Sequence, residues 1–459
     1  KRTGVHVEWV IPPVGSETDN YNLRIASDDL PHMFVERYDA YPGGLDKAIA
    51  DGVYLPLTEY YNKGLTPNYK YLRDTYPDIA QDTIQDSGEL AVFWQFDYVG
   101  TSPWSGFWIR QDWLEEQGLA EPVTVDDWTN MLRVFKEKYN STLGVQIGAL
   151  GGGGGDLTDN HTFFSTFGTG FRWFQIDGQI QFGPVTEGFK QAVELLSSWY
   201  AEDLIDPDFA SYDWNGYTAK ASDAVSYGAF GLNYGEIGQM KRTSEALDPD
   251  WKIIPVNGPV LTPGQELHMR NTDFLTRTQY DPITTRAKDE GLDEIIMKWK
   301  DYWYSQEGGD LFSYGVEGVT YEWDDNDQLV WTWDQHFDTK NGALDFWTMY
   351  PLFKLHNGGY LRDSASYVME QLVWDCINEW SKITPDWFMP MISRTAQESE
   401  DYASTYTPLN DYIEEQTGLY ITGQQSLDNW DTFVQNIWNM GLQDIIDIQQ
   451  DALDRYNAR

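Results

Sequence analysis

The chain has 459 residues, 73 Asp+Glu against 31 Lys+Arg, and a formal charge of −42. That length supports two or three folded units whose core needs neither metal nor disulfide, and an apolar share of 41% excludes wholesale disorder. The acidic surface repels phosphate backbones and anionic lipid, and no run approaches the roughly 20 apolar residues of a membrane span, which argues against nucleic-acid binding and membrane spanning alike.

Val5 to Ile11 alternates in the manner of a strand and stops at Pro12-Pro13. Val53 to Leu57 is a short apolar run leading into a polar helical segment near Thr58 to Asn62, and Leu90 to Trp94 reads as a buried strand. Thr124 is placed to cap a helix whose apolar face is Trp128, Met131, Leu132 and Phe135, with Asp126 and Asp127 at the positive end of its dipole. Five glycines, Gly151 to Gly155, follow; they hold neither helix nor strand. No GK[ST] tail accompanies them, so the run is a flexible loop, one able to border a cleft, and not a phosphate cradle. Asp177-Gly178 between the alternating runs Phe174–Ile176 and Gln179–Phe182 signals a type I′ hairpin. Helices are expected over 186–200, 293–304, 366–383 and 426–459, the last burying Trp430, Phe433, Val434, Ile437, Trp438, Leu442, Ile445 and Ile446. Intermixed strands and helices with a mostly helical C-terminal third make the class α/β with an added helical portion.

Chemistry-bearing motifs are sparse. The six histidines (His6, His32, His161, His268, His336, His356) show no metal-ligand spacing, no G-x-S-x-G elbow occurs, and Asp324 to Asp327 lacks the central Gly and final Glu of a calcium loop, which leaves a solvated turn. The single cysteine, Cys376, shares a helical stripe with Leu372, Val373, Ile377 and Trp380 and reads as a small core residue. Glycosidase-type carboxylate pairs stay open, since spacing in space is unseen. With no nucleophile, metal or cofactor motif, the weight falls on binding rather than catalysis. The 21 Trp, 29 Tyr and 21 Phe suit surfaces that are half apolar and half hydrogen-bonding, as pyranose rings are, although an aromatic-rich core accounts for most of them.

Several blocks then fall in a recognisable order: Lys1-Arg2-Thr3-Gly4-Val5 through Trp9, Asp29-Leu30-Pro31-His32, Gly52 to Leu57, Gly106-Phe107-Trp108-Ile109-Arg110-Gln111-Asp112-Trp113-Leu114, Leu204-Ile205-Asp206-Pro207-Asp208-Phe209, Ser305 to Gly308, Tyr314 to Val319, and Gly423 through Trp430 to Tyr456. Over nearly the whole chain they resemble the family 1 extracellular solute-binding proteins of ABC importers, most of all the large oligosaccharide-binding lipoproteins of Gram-positive bacteria. His32 stands where the family has Asp.

The resemblance implies a two-lobed, periplasmic-binding-protein-like (type II) α/β fold with a hinge and extra C-terminal helices. Lobe 1 is expected over 1–97 and 268–316, lobe 2 over 98–267 and 317–459, with crossings near 94–108, 268–278 and 314–323. It implies an extracellular, lipid-anchored, monomeric receptor without cofactor or catalytic residues, which takes an oligosaccharide and passes it to the permease subunits of an importer. In the family a strand, a helix and a lipid-carrying cysteine precede the first block, so a preceding segment is expected. Crossing residues face a cleft, which makes Trp104, Trp108, Trp173, Trp214, Trp323 and Trp387 candidates for sugar stacking. Arg110 and Arg172 are candidate donors, and Asp97, Asp213 and Glu317 candidate acceptors. Each has a structural alternative: Trp108 lies in an apolar run, Arg110 can pair with Asp112 or Asp127, and Glu317 can brace the hinge. A receptor for a peptide or other polar solute, or a glycoside-cleaving enzyme, would share these features.

Overall fold

A computed structural model describes residues 3–13, 16–35, 41–96, 103–147, 156–270, 276–325, 329–332 and 371–459. The polyglycine run and Asp97 lie outside the described residues, as do His336, His356, part of the 324–327 turn and the beginning of the expected 366–383 helix.

Two separate sheets carry the architecture. The smaller pairs β1 (Phe93–Phe96) with β8 (Thr276–Asp281), antiparallel. It belongs to a core drawn from Tyr21 to Phe96 and from Tyr280 to Tyr304, in which Tyr69, Phe93, Phe96 and Tyr304 pack as stacked and edge-on rings. The larger sheet has the order β3 (Thr142–Gly144), β6 (Tyr227–Asn233), β2 (Ser105–Arg110), β7 (Ile253–Val256). β2 is buried on both faces: the two-residue alternation sends Phe107 and Ile109 into one core and Trp108 into another.

Helices cover both faces. On the Phe107 side lies the Val125–Tyr139 helix, where Thr124 and Asp127 form a capping box and Trp128, Met131, Leu132 and Phe135 are buried, as the sequence pattern predicts. The Glu187–Ala201 helix and the C-terminal helices pack on the same core. On the Trp108 side the Gln371–Trp380 helix lies against β7, with Cys376 fully buried. Asp177 and Gly178 both have positive φ (51° and 78°), so β4 (Trp173–Ile176) and β5 (Gln179–Phe182) join through the expected type I′ turn. A further hairpin pairs β9 (Tyr321–Trp323) with β10 (Leu329–Trp331).

Four expectations need correction. Val5 to Ile11 is irregular, with Trp9, Val10 and Ile11 exposed; among the described residues no strand pairs with it, and alternation without a partner does not make a strand. The strand read at 90–94 forms at Phe93–Phe96. The 293–304 helix tightens to a 3-10 turn over Tyr302–Tyr304. The last helix is two, Trp430–Asn439 and Leu442–Asn457, because Gly441 at φ 98° takes a left-handed conformation that reorients the chain and leaves Trp438 exposed.

Candidate functional site

The register of the larger sheet decides where a site can form. Ser105 pairs with Asn233, Gly144 with Phe230, and Phe107 with Val256. The start of β2 therefore shares one edge with the carboxyl ends of β3, β6 and β7. Both strand-to-strand links between the sheets meet this edge, from Phe96 to Ser105 and from Val256 to Thr276. In open α/β sheets the crevice outside the carboxyl strand ends is where ligands sit.

The side chains at this edge are aromatic and polar. Trp104 is half-buried, its ring edge-on to Tyr234 at 4.5 Å, and its carbonyl accepts from the Tyr234 amide. Asn233 caps the Tyr234–Leu247 helix by accepting from the Glu236 N–H at 3.0 Å, which fixes Glu236 in the first turn. Trp214 opens the Trp214–Ala221 helix, whose cap is Asp213, accepting from the Gly216 N–H at 2.8 Å. Between these helices runs a groove of about 460 Å³ lined by Trp214, Thr218, Ser222, Leu232, Glu236 and Met240 among others.

A narrower recess is lined by Ser105, His161, Asn257, Arg270, Trp380 and Ile383. His161 Nε2 lies 3.5 Å from Ser105 Oγ. Burial pulls the His161 pKa down to about 4, so its imidazole is neutral at pH 7. A base of that strength at that distance is poorly suited to activating a hydroxyl, and among the described residues no carboxylate pairs with His161. Burial also lowers the Arg270 guanidinium from its ordinary value. Among the described residues no group of three or more His, Cys, Asp or Glu is arranged to hold a metal ion.

The expected site residues divide. Trp104 and Trp214 stand at the crossing edge, and Asp213 is beside Trp214 as its helix cap. Trp108 is fully buried, its indole N–H donating to the Leu232 carbonyl at 3.0 Å and its ring edge-on to Trp380; it is a core residue. Arg110 lies at the opposite end of β2 from Ser105, about 16 Å away at the usual rise per residue. Its guanidinium is buried against Asp112, Asp248 and the Ala224 carbonyl and rests on Trp113, so it braces the far end of the sheet. Trp173 packs on Phe182 and Tyr406 and donates to Tyr402 Oη at 2.7 Å, inside the Phe107-side core. Arg172 bonds Thr158 and Glu414. Trp387, half-buried, stacks on His268 with centroids 4.3 Å apart, alongside the second link. Trp323 and the exposed Glu317 belong to the β9–β10 hairpin and its approach, Trp323 with its ring edge-on to Tyr321.

Sequence reasoning passed over Ser105, His161, Tyr234, Glu236, Asn257 and Arg270. Asn233 followed three residues later by Glu236 is a readable capping signature that would have placed a helix start here; nothing local marks the others, which the register gathers.

Comparison with known proteins is consistent along the chain. Residues 1–310 match the profile of the family described as bacterial extracellular solute-binding protein. The chain is 24% identical over 485 residues to the fructooligosaccharide ABC transporter substrate-binding protein FusA of Streptococcus pneumoniae, covering all of this chain and 86% of that one. Among solved structures it is similar to S. pneumoniae FusA in complex with kestose (TM-score 0.76, 21% identity, 100% of this chain and 94% of that one). It is also similar to an HMO binding, ABC-transporter associated solute binding protein of Bifidobacterium longum infantis (TM-score 0.78, 16% identity, 98% and 92%). These likenesses fix the two-lobed α/β fold. Among the described residues no helix is long and apolar enough to cross a membrane.

Proposed function

This chain belongs to the bacterial extracellular solute-binding protein family, and from that premise we propose that it captures an oligosaccharide between two lobes and delivers it to the permease subunits of an ABC importer. In this reading the lobes are 1–97 with 268–316, and 98–267 with 317–459; the separation of the small-sheet core from the two cores flanking the larger sheet supports the division. The observation that carries the proposal is the gathering of Trp104, the Trp214 groove and the Ser105–Asn257–Arg270 recess on the one edge from which both inter-sheet links depart. Indole faces bind the C–H faces of sugar rings, and the polar groups beside them bind the hydroxyl rims. FusA, seen with kestose, lends the ligand class. Trp387 offers an outer stacking face. The receptor acts as a monomer held by a lipid to the extracellular face of the cytoplasmic membrane.

The test is calorimetric titration of a panel of neutral oligosaccharides, kestose included, with chromatography of each mixture afterwards. Stoichiometric binding with intact sugar supports the reading; cleavage without stoichiometric binding replaces it with glycoside hydrolysis.

A further inference from the structure

Buried polar groups in proteins are nearly always hydrogen-bonded, and each that is not costs stability. Three amide side chains at or just past carboxyl strand ends break this rule. Gln95 is the penultimate residue of β1, 7% exposed, and its Oε1 has no partner. Gln146, two residues beyond β3, is fully buried with both Oε1 and Nε2 unpaired. Asn257 follows β7 directly; its Nδ2 donates to the Glu379 backbone carbonyl and to Glu379 Oε1, while its Oδ1 is buried and unpaired. The Trp94 indole N–H, beside Gln95, is unpaired as well.

Position gives these groups a common meaning. All three amides sit at the carboxyl ends of strands, one from the small sheet and two from the large one. Gln95 lies where the β1–β8 register shifts between Trp94 and Phe96, an irregularity of the kind that re-aims a side chain. Leu143 and Val145 face the Phe107-side core, so the alternation turns Gln146 to the other face, the one bearing Trp214 and Leu232. Asn257 lines the recess with Ser105 and Arg270.

We propose that Gln95, Gln146 and Asn257 are ligand-binding amides that select a neutral, hydroxyl-rich saccharide over a carboxylated one. The inference rests on the saccharide reading above and sharpens it. Three of the unpaired atoms are acceptors (Gln95 Oε1, Gln146 Oε1, Asn257 Oδ1) and two are donors (Gln146 Nε2, Trp94 Nε1). A hydroxyl both donates and accepts, so it can satisfy either kind. A carboxylate only accepts, so it leaves the three acceptor oxygens unsatisfied, and the Arg270 guanidinium of the recess would have to outweigh both those oxygens and a net charge of −42 to hold it.

The test titrates kestose, maltotriose, cellotriose and trigalacturonate into the wild-type protein and into Gln95→Met and Gln146→Met, with urea unfolding of each protein alone. Wild type is expected to bind a neutral trisaccharide at least tenfold more tightly than trigalacturonate. Each Met variant is expected to bind that sugar about tenfold more weakly, with an unfolding midpoint equal to or above wild type, since an unpaired amide has been removed. If a Met variant does not fold, the Leu variant at the same position takes its place. Neutral-sugar affinity unchanged in the variants overturns this inference alone, as does an unfolding midpoint that drops in both or a preference for trigalacturonate. Wild type that binds no member of the panel overturns the saccharide reading with it.

Discussion

Arg455, near the end of the last helix, donates from Nε to the Asp86 carboxylate at 2.8 Å and through its other nitrogens to Glu398. The Asp86 carboxylate side chain, 2% exposed, also accepts from Arg459, and Tyr456 Oη donates to Asp82 at 2.7 Å. Leu453 of the same helix packs in the Phe107-side core, whereas Asp82 and Asp86 follow Ile79 of the other core. The chain's end thus ties the two cores together. Asp86→Ala removes the shared acceptor, leaving Arg459 without its carboxylate and Arg455 with Glu398 alone, so it should lower stability by about 2 kcal/mol, below the value for a fully buried pair because Arg455 is a third exposed. Urea unfolding of the variant at low and at 1 M salt measures this; an unchanged midpoint would mean that the cluster is solvent-screened and holds nothing.

The separation of edge residues from core residues predicts opposite phenotypes. Micromolar affinity corresponds to about 8 kcal/mol, and a central Trp anchor supplies about 2 kcal/mol or more. Trp104→Ala and Trp214→Ala should therefore weaken sugar binding tenfold or more while barely moving the melting temperature. Trp108→Ala empties a fully buried site and should cost about 3–5 kcal/mol of stability. The pair of readouts, calorimetry and thermal unfolding, checks both halves; unchanged binding in the first two variants removes them from the site.

His161 predicts a pH dependence. Its folded pKa is about 4, depressed from 6.5 by burial. The unfolded chain therefore binds the extra proton first as pH falls, and stability declines from about pH 6.5 downward until about pH 4. A shift of this size is worth about 3 kcal/mol. His161→Gln should flatten that part of the stability profile, measured by urea unfolding at pH 7.5 and 5. A profile as steep as wild type would place the titrating group elsewhere.

Much of this was legible in the residues. The Thr124 cap with its apolar stripe, the Asp177-Gly178 turn and the burial of Cys376 are local patterns, and local patterns determined them. The blocks along the chain carried the family and its two-lobed fold. The residues offered for the candidate site fall in different places. Trp104 and Trp214 follow Pro103 and Asp213 in loop contexts that favour exposure, and they stand at the strand ends. Arg110 was misplaced because sequence proximity to Trp104 says nothing about which end of a strand a residue occupies; six residues of β2 carry it to the far edge. Gln95, Gln146 and Asn257 had no local signal at all, since an amide's missing partner is visible only once strand register has assembled its surroundings.

The central claim is that the two lobes close on a saccharide. Small-angle scattering of the protein with and without a sugar that calorimetry shows to bind tests it most directly. Closure by hinge bending predicts a smaller radius of gyration in the bound sample and a shortened maximum dimension. Superimposable profiles at saturating sugar would contradict it.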